Sequence, residues 1–248
     1  MISVEQSFYR SFPRLAQGPA RALSMPVVEL LRRVTCEAEV NDTLRHLEGA
    51  RGLDFVEQAL ERLGFSYRVA ACDVQNIPAE GPVVIVANHP LGALDALSLL
   101  DLVGKVRRDV RILANEVLQQ LESLRELLLP LDVFQGRGGA GLREAYRALA
   151  AEQALIVFPA GEVSRIRADG VRDGRWSEGF LRFARKAHAP VLPVHVQAHN
   201  SAMFYGVSML AKPLATLLLP RELFAPRSRR ITLTVGSPVP AAALAHPR

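Results

Sequence analysis

Cysteine and long apolar stretches are scarce in this 248-residue sequence, and each shortage excludes a class of protein. The two cysteines, Cys36 and Cys72, lie far apart without metal-ligand spacing, so we expect neither a disulfide framework nor a metal site. Free thiols are typical of a reducing compartment. No stretch of about 18 apolar residues is present to span a bilayer, and the N-terminus lacks a signal-peptide pattern. We therefore expect a protein that is soluble or lies on a membrane surface.

Aromatic residues are also scarce, at 6% of the chain, which argues against the stacking platforms of a nucleic-acid binder. What is abundant is positive charge. The net charge of +5 suits an acidic carrier protein, anionic lipid or phosphate, and charge alone does not choose among them. Residues 165–186 contain seven basic side chains against three acidic ones and form a local cationic patch.

Apolar runs alternate with helical patterns along most of the chain. We predict an N-terminal helical segment at residues 1–50 and a catalytic domain at residues 51–248. The predicted strands lie at 66–72, 82–88, 109–115, 131–134, 154–161, 190–197 and 229–240. The predicted helices lie at 53–65, 96–106, 116–128, 142–153 and 178–188. This alternation indicates an α/β fold with a mostly parallel sheet flanked by helices, in which ligands bind beyond the carboxyl ends of strands.

The segment "NHPLGALD" at residues 88–95 combines a histidine, a carboxylate and turn residues directly after a predicted strand. In a continuous helix His89 and Asp95 would lie about 240° apart, so their pairing requires the turn that Pro90 and Gly92 favour. A carboxylate on one imidazole nitrogen leaves the other nitrogen free to take a proton from a bound hydroxyl. The alternative is a structural histidine beside a helix cap.

Five blocks occur in a fixed order: "NHPLGALD", "ILANEVL", "VFPAGEVS", "HNSAMFY" and "LPREL". Over roughly residues 50–240 they resemble the lysophospholipid and glycerolipid acyltransferase family, and most closely its bacterial hemolysin-like subgroup. The resemblance implies that His89 is the general base and that Asp95 orients it, although five residues rather than four separate them. It also implies direct attack on a thioester without an acyl-enzyme, and the sequence contains no G-x-S-x-G nucleophile elbow.

The third block departs from the wider family, because Ala160 and Val163 replace a glutamate and an arginine that help to hold the acceptor's phosphate and glycerol. Glu162 and Arg165 are candidates for related work from shifted positions, with solvated loop charges as the alternative. Arg137 is a candidate for the acceptor head group or the carrier's phosphate. The resemblance thus predicts substrate-binding residues at Asn88, Arg137, Phe158, Pro159, Gly161, Glu162, Ser164 and Arg165.

The resemblance implies transfer of a fatty acyl group from acyl carrier protein (acyl-ACP) or acyl-CoA to the hydroxyl of a lyso-lipid. The acceptor is expected to be a lysophospholipid or an N-acyl amino acid lipid such as lyso-ornithine lipid. No other cofactor, no metal and no nucleic acid is expected. We expect a cytoplasmic, peripheral location on the inner face of the cell membrane. The apolar segment at residues 207–220 is predicted to be core or, alternatively, a patch that enters the membrane interface.

"GRGGAG" at residues 136–141 supports a different function. It matches G-x-G-x-x-G between a predicted strand and a predicted helix, with Glu162 about twenty residues further on, as in dinucleotide-binding folds. An NAD(P)-dependent oxidoreductase is therefore the alternative. Against it, several predicted strands precede this one, whereas the fingerprint usually follows the first strand of its unit.

Overall fold

A computed structural model of the chain describes residues 2–114, 118, 121–130, 139–225 and 230–244. Within these residues, seven strands form one sheet in the order β1-β9-β8-β2-β5-β3-β4, and two more form a separate antiparallel hairpin, β6 and β7. The strands are β1 (Ser66–Val69), β2 (Val83–Ala87), β3 (Val110–Ala114), β4 (Leu128–Pro130), β5 (Ala154–Val157), β6 (Arg165–Arg167), β7 (Gly170–Arg172), β8 (Val191–Gln197) and β9 (Arg230–Val235).

Five neighbouring strands of the sheet, β8, β2, β5, β3 and β4, run parallel to one another. The strand β9 pairs antiparallel with β8, and β1 pairs parallel with β9. The mostly parallel sheet that the alternation predicts is therefore confirmed. Because β8, β2 and β5 are adjacent and parallel, the segments that leave their carboxyl ends meet at one edge of the sheet.

Helices cover both faces of this sheet. In chain order they are α1 (Val4–Ser11), α2 (Gly18–Val34), α3 (Glu37–His46), α4 (Gly52–Arg62), α5 (Ala71–Val74), α6 (Ala93–Gly104), α7 (Gly139–Ala150), α8 (Gly179–Ala187), α9 (Ala202–Leu210), α10 (Lys212–Leu217) and α11 (Leu219–Leu223). Along β2, Ile85 packs into the core with α4 and α6, while Val84 and Val86 pack into the core with α7 and α8. Burial on both faces explains why β2 is uniformly apolar.

Several predicted elements differ from the structure. The helix predicted at 116–128 is wrong in its described part, where a 3-10 turn occupies Glu122–Leu124 and β4 begins at Leu128. The strand predicted at 66–72 ends at Val69, because the chain turns into α5. The strand predicted at 154–161 ends at Val157. The strand predicted at 131–134 lies outside the described residues.

The N-terminal and C-terminal helices meet beside the sheet. Val34, at the end of α2, packs against a small core of Val163, Phe204, Tyr205, Ala215 and Leu218. The sequence predicts that the segment 207–220 is core or, alternatively, a patch at the membrane interface. Ala215 and Leu218 are buried in that core, whereas other apolar side chains are exposed, namely Met209, Leu210, Leu214 and Leu217. Within the described ranges, every helix is too short or too polar to cross a membrane. The division at residue 50 stays a prediction.

Candidate active site

The turn that follows β2 brings His89 and Asp95 together, as the spacing predicts. Gly92 adopts φ +87°, a conformation that favours glycine, and α6 begins at the next residue. Asp95 lies in the first helical turn, where its Oδ2 accepts hydrogen bonds from the backbone N–H of Leu91 (2.7 Å) and of Gly92 (3.1 Å). A carboxylate at this position also complements the positive end of the helix dipole.

His89 Nδ1 lies 3.2 Å from Oδ2 of Asp95, whose side chain is fully buried. The approach lies outside hydrogen-bond geometry, and neither Nδ1 nor Oδ1 of Asp95 has another partner among the described residues. Because Nδ1 is inaccessible, the 18% exposure of the His89 side chain comes from its other atoms. The carboxylate thus lies against one nitrogen, and the accessible part of the side chain lies elsewhere.

Burial raises the pKa of the Asp95 carboxyl above its ordinary value. The contacts with His89 and with the backbone N–H groups of Leu91 and Gly92 act in the opposite direction. A carboxylate without water depends on these neighbours for the stabilisation of its charged form.

Phe158, the first residue after β5, stacks on the imidazole of His89 with ring centroids 4.0 Å apart. Phe158 also lines a cavity of about 630 Å³ at the carboxyl ends of β3 and β5. Its other lining residues include Leu113, Val157, Pro159, Gly161, Trp176 and Phe180. His89, the general base predicted from the sequence, is not among the described residues that line this largely apolar cavity, and it contacts the cavity wall through the ring of Phe158.

Ser164 ties the third block to the turn that carries His89. Its backbone N–H donates to the His89 carbonyl (2.8 Å), and its hydroxyl donates to Oδ1 of Asp173 (2.5 Å). The same Asp173 oxygen accepts the backbone N–H of His89 (3.2 Å). Sequence reasoning missed Asp173 as a site residue, and its only signal was an acidic position within the cationic patch.

Other residues of the five blocks hold the backbone around the site. Asn88 pairs through both ends of its amide with the backbone of Val196 in β8. Asn200 donates from Nδ2 to the Pro90 carbonyl (2.7 Å). The buried Glu222 of the "LPREL" block accepts from Ser201, which caps α9. Through these contacts the "HNSAMFY" and "LPREL" segments fix α9 beside the turn that carries His89.

Arg165 is buried and its guanidinium is engaged within the protein. It donates to Ser208 Oγ (2.7 Å) and Thr216 Oγ1 (3.2 Å), and it lies 3.4 Å from Glu162. Glu162 is about one-third exposed and lies 3.9 Å from Lys212 Nζ. The contacts of Arg165 join β6 to α9 and α10, and its predicted role in acceptor binding stays a prediction, as does that of Glu162.

The remaining predicted binding residues are placed as follows. Pro159 and Gly161 line the cavity, and the Pro159 carbonyl accepts the Ser177 backbone N–H at 2.9 Å. Gly161 adopts φ +65°, which a glycine tolerates at no steric cost. Arg137 lies outside the described residues. Within the described ranges, no group of three or more His, Cys, Asp or Glu side chains is placed to hold a metal ion.

Gly141, the last residue of "GRGGAG", has a packing role. A Cβ at this position would lie 1.4 Å from the Pro130 carbonyl oxygen, so the glycine lets α7 approach β4. The residues 136–138 of that stretch lie outside the described residues. A close helix–strand contact accounts for this glycine without a dinucleotide.

Comparisons with known proteins identify the family. A family model described as acyltransferase matches residues 11–246. The lyso-glycine lipid O-acyltransferase of Phocaeicola vulgatus is 30% identical over 221 residues, covering 86% of this chain and 78% of the relative. The corresponding enzyme of Bacteroides thetaiotaomicron is also 30% identical, covering 86% of this chain and 80% of its own. None of these comparisons supports the oxidoreductase alternative.

A solved structure shares the fold. The crystal structure of the 1-acyl-sn-glycerophosphate acyltransferase from Thermotoga maritima superposes with a TM-score of 0.51 at 19% identity, covering 88% of this chain and 87% of the other. At that identity the match concerns the arrangement of strands and helices alone.

Proposed function

Because this chain belongs to the lysophospholipid and glycerolipid acyltransferase family and is an acyltransferase, we propose that it transfers a fatty acyl group from a thioester to the hydroxyl of a lyso-lipid. The observation that carries the proposal is the His89–Asp95 pair at 3.2 Å, which contacts the wall of an apolar cavity of about 630 Å³ through Phe158. A base with one open nitrogen and a space for a hydrocarbon chain are the two features that this reaction requires.

In the proposed step, His89 takes the proton of the acceptor hydroxyl as the oxygen attacks the thioester carbonyl. The tetrahedral intermediate then collapses, the carbon–sulfur bond breaks, and the imidazolium returns the proton to the leaving thiolate. Asp95 holds Nδ1 so that the open nitrogen faces the acceptor, and its negative charge stabilises the imidazolium. The reaction uses only a base and the thioester, so it requires no metal and no redox cofactor.

We propose an acceptor of the N-acyl amino acid class, with lyso-glycine lipid as the first candidate. Two relatives of 30% identity carry the name lyso-glycine lipid O-acyltransferase. In addition, Ala160 and Val163 stand where the wider family has the glutamate and arginine that bind phosphate and glycerol. The cavity wall carries two exposed charged residues, Arg175 and Glu178, and the guanidinium of Arg175 suits an acceptor carboxylate. Lysophospholipids and lyso-ornithine lipid are the comparison substrates.

We propose acyl-ACP or acyl-CoA as donor, and a peripheral location on the cytoplasmic face of the cell membrane. The acceptor is a lipid, and α9 and α10 present a cluster of outward-facing apolar side chains: Met203, Met209, Leu210, Leu214 and Leu217. Leu210 is 89% exposed, an unusual degree for leucine, and Lys212 is the first residue of α10. Apolar side chains beside a cation are typical of helices that lie in the membrane interface.

The test of the proposed function is an acceptor panel with the purified protein. Acyl-ACP and acyl-CoA are each supplied with lyso-glycine lipid, lyso-ornithine lipid or lysophosphatidic acid, and mass spectrometry follows the esters formed. We expect an ester of lyso-glycine lipid as the main product, together with one free thiol for each ester. Release of free thiol without any ester in the panel would contradict the proposed transfer.

A further inference from the structure

Asp173 follows the β6–β7 hairpin and contacts three separate parts of the site through one carboxylate. Its Oδ1 accepts hydrogen bonds from the Ser164 hydroxyl (2.5 Å) and from the His89 backbone N–H (3.2 Å). Its Oδ2 accepts the indole N–H of Trp176 (2.9 Å). Hydrogen bonds to an ionised acceptor are stronger than those between neutral groups, so this carboxylate fixes all three donors.

The contacts of Asp173 complete the support of His89. Asp173 holds the backbone N–H of His89, and Ser164 holds its carbonyl through a 2.8 Å hydrogen bond. Phe158 stacks on one face of the ring, and Asp95 lies at Nδ1. The orientation of the His89 ring therefore depends on Asp173 as well as on Asp95.

Trp176, the third donor to Asp173, forms part of the cavity wall. Its indole meets the Phe180 ring edge-to-face at a centroid distance of 6.2 Å, and both residues line the cavity with Phe158. A hydrocarbon chain in the cavity would contact this wall. Asp173 thus connects Trp176 in the cavity wall to the backbone of His89 by hydrogen bonds to both.

We propose that Asp173 is a positioning residue for acyl transfer, which couples the cavity wall at Trp176 to the orientation of His89. The proposal rests on the proposed function for its kinetic part only. Asp173 acts through His89 and Trp176, so its loss should lower the turnover of bound substrate more than it weakens binding.

The variant Asp173→Asn tests this role, because an amide has one acceptor oxygen and cannot accept hydrogen bonds on both sides. Either the Ser164 hydroxyl and the His89 N–H, or the Trp176 indole N–H, must then lose their acceptor. The matched control is Asp169→Asn. Asp169 is an exposed aspartate in the turn of the same hairpin and pairs only with the exposed Arg172.

Intrinsic fluorescence gives a readout independent of activity, since Trp176 is the single tryptophan of the chain. We expect Asp173→Asn to shift the emission spectrum and to change the response to added lyso-glycine lipid. Asp169→Asn should leave both unchanged. Circular dichroism establishes that each variant is folded.

The kinetic readout separates kcat from KM with lyso-glycine lipid as the varied substrate. We expect Asp173→Asn to lower kcat about ten-fold or more with KM altered by less than about three-fold. A second variant, Trp176→Phe, removes one hydrogen bond, keeps Asp173 and is expected to lower kcat about three-fold. Asp169→Asn should retain the kcat of the unmodified protein.

The outcomes distinguish the two proposals. An active parent protein together with an equally active, folded Asp173→Asn would overturn the role of Asp173 and leave the acyltransferase proposal intact. If Asp173→Asn is unstable, an unchanged kcat in Trp176→Phe would overturn the coupling. An inactive parent protein across the acceptor panel would instead contradict the proposed function, whatever the fluorescence shows.

Discussion

At the scale of single residues, Asp95 has two tasks that both favour the charged form of its carboxyl group, although its burial disfavours that form. It caps α6 through the N–H groups of Leu91 and Gly92, and it faces Nδ1 of His89. Its full burial disfavours the charged form, whereas those same neighbours favour it. The proposed catalysis uses the charged form, so the site keeps a buried charge that costs stability.

Asp95→Asn is predicted to separate these tasks. The amide oxygen can still accept the backbone hydrogen bonds, but the variant cannot stabilise an imidazolium, so kcat should fall about a hundred-fold or more. The fold should persist because the capping geometry is retained. Comparison of kcat and the circular dichroism spectrum of parent and variant checks both statements, and a parent-like kcat would show that another group orients His89.

The same variant should also change how stability depends on pH. Burial raises the folded-state pKa of Asp95 above its ordinary value of 3.8, so the folded chain binds this proton more tightly than the unfolded chain does. The contribution of Asp95 to stability is therefore complete below the unfolded pKa and declines as the pH rises through the folded pKa. The variant has no such proton.

Thermal melts therefore compare the parent with Asp95→Asn from about pH 4 to about pH 8. The melting temperature of the parent minus that of the variant should decrease as the pH rises. A difference that stays constant over this range, or that increases, would contradict a raised pKa at this carboxyl group.

Some residue contacts follow from the sequence and others do not. The pairing of His89 with Asp95 is predictable because both residues lie in one short segment with a turn between them. Asp173 is not predictable, because its contact with His89 spans 84 residues and uses a backbone N–H. Asn88 illustrates the same limit, since its amide pairs with the backbone of Val196, 108 residues further on.

At the scale of elements, strands with an uninterrupted apolar pattern are the most predictable. The buried strand β2 lies within its predicted region, and the amphipathic helix α7 overlaps its predicted region but begins and ends three residues earlier. Burial dictates both patterns. The segment 116–128 also has helical periodicity, but in its described part it pairs Leu128 with Ile112 of β3. Pairing with a distant strand overrides local periodicity, and a single sequence does not contain that information.

The surface formed by α9 and α10 is predicted to bind lipid bilayers. Two glutamates in Leu210→Glu/Leu214→Glu would replace side chains that are 89% and 57% exposed, so the fold should tolerate them. Each leucine that enters a membrane contributes about 1.5 to 3 kcal/mol, so the loss of two should weaken vesicle binding by about 3 kcal/mol or more, which is roughly a hundred-fold. Co-sedimentation with anionic vesicles measures the change.

The control is Leu142→Glu, which places one such charge on the 45% exposed Leu142 of α7 and is compared with each single variant, Leu210→Glu and Leu214→Glu, as well as with the double variant. This helix packs against α8 and β4 rather than against α9. If the α7 variant lost vesicle binding as strongly as the double variant, the assignment to α9 and α10 would be wrong.

Gly141 is predicted to be essential to the contact between α7 and β4. In Gly141→Ala the new Cβ meets the Pro130 carbonyl oxygen, a backbone atom that cannot move away alone. The free energy of unfolding should therefore fall by about 2 kcal/mol or more. Gly206→Ala in α9 is the control, since no atom lies within 4 Å of its added Cβ.

Chemical denaturation compares the two alanine variants. Alanine is a better helix former than glycine, so Gly206→Ala should raise the free energy of unfolding by up to about 1 kcal/mol. Gly141→Ala should lower it. Equal stability of Gly141→Ala and the parent protein would show that the close approach is not required.

At the scale of the whole molecule, one edge of the sheet collects the groups that the proposed reaction needs. The segments after β2, β5 and β8 supply His89, Phe158 and Asn200, although these residues are far apart in sequence. Parallel strands in adjacent positions bring them together, which is why five short blocks in the sequence form one site. A polar pair, an apolar cavity and an exposed apolar surface then lie on one molecule whose relatives act on lyso-lipids.

The most direct measurement of the central claim is the rate of ester formation by His89→Ala with an acyl thioester and lyso-glycine lipid. We expect a kcat at least about 10³-fold below that of the parent protein, because the base that takes the acceptor proton is missing. The circular dichroism spectrum should be unchanged. Ester formation by a folded His89→Ala at the rate of the parent would show that His89 is not the general base.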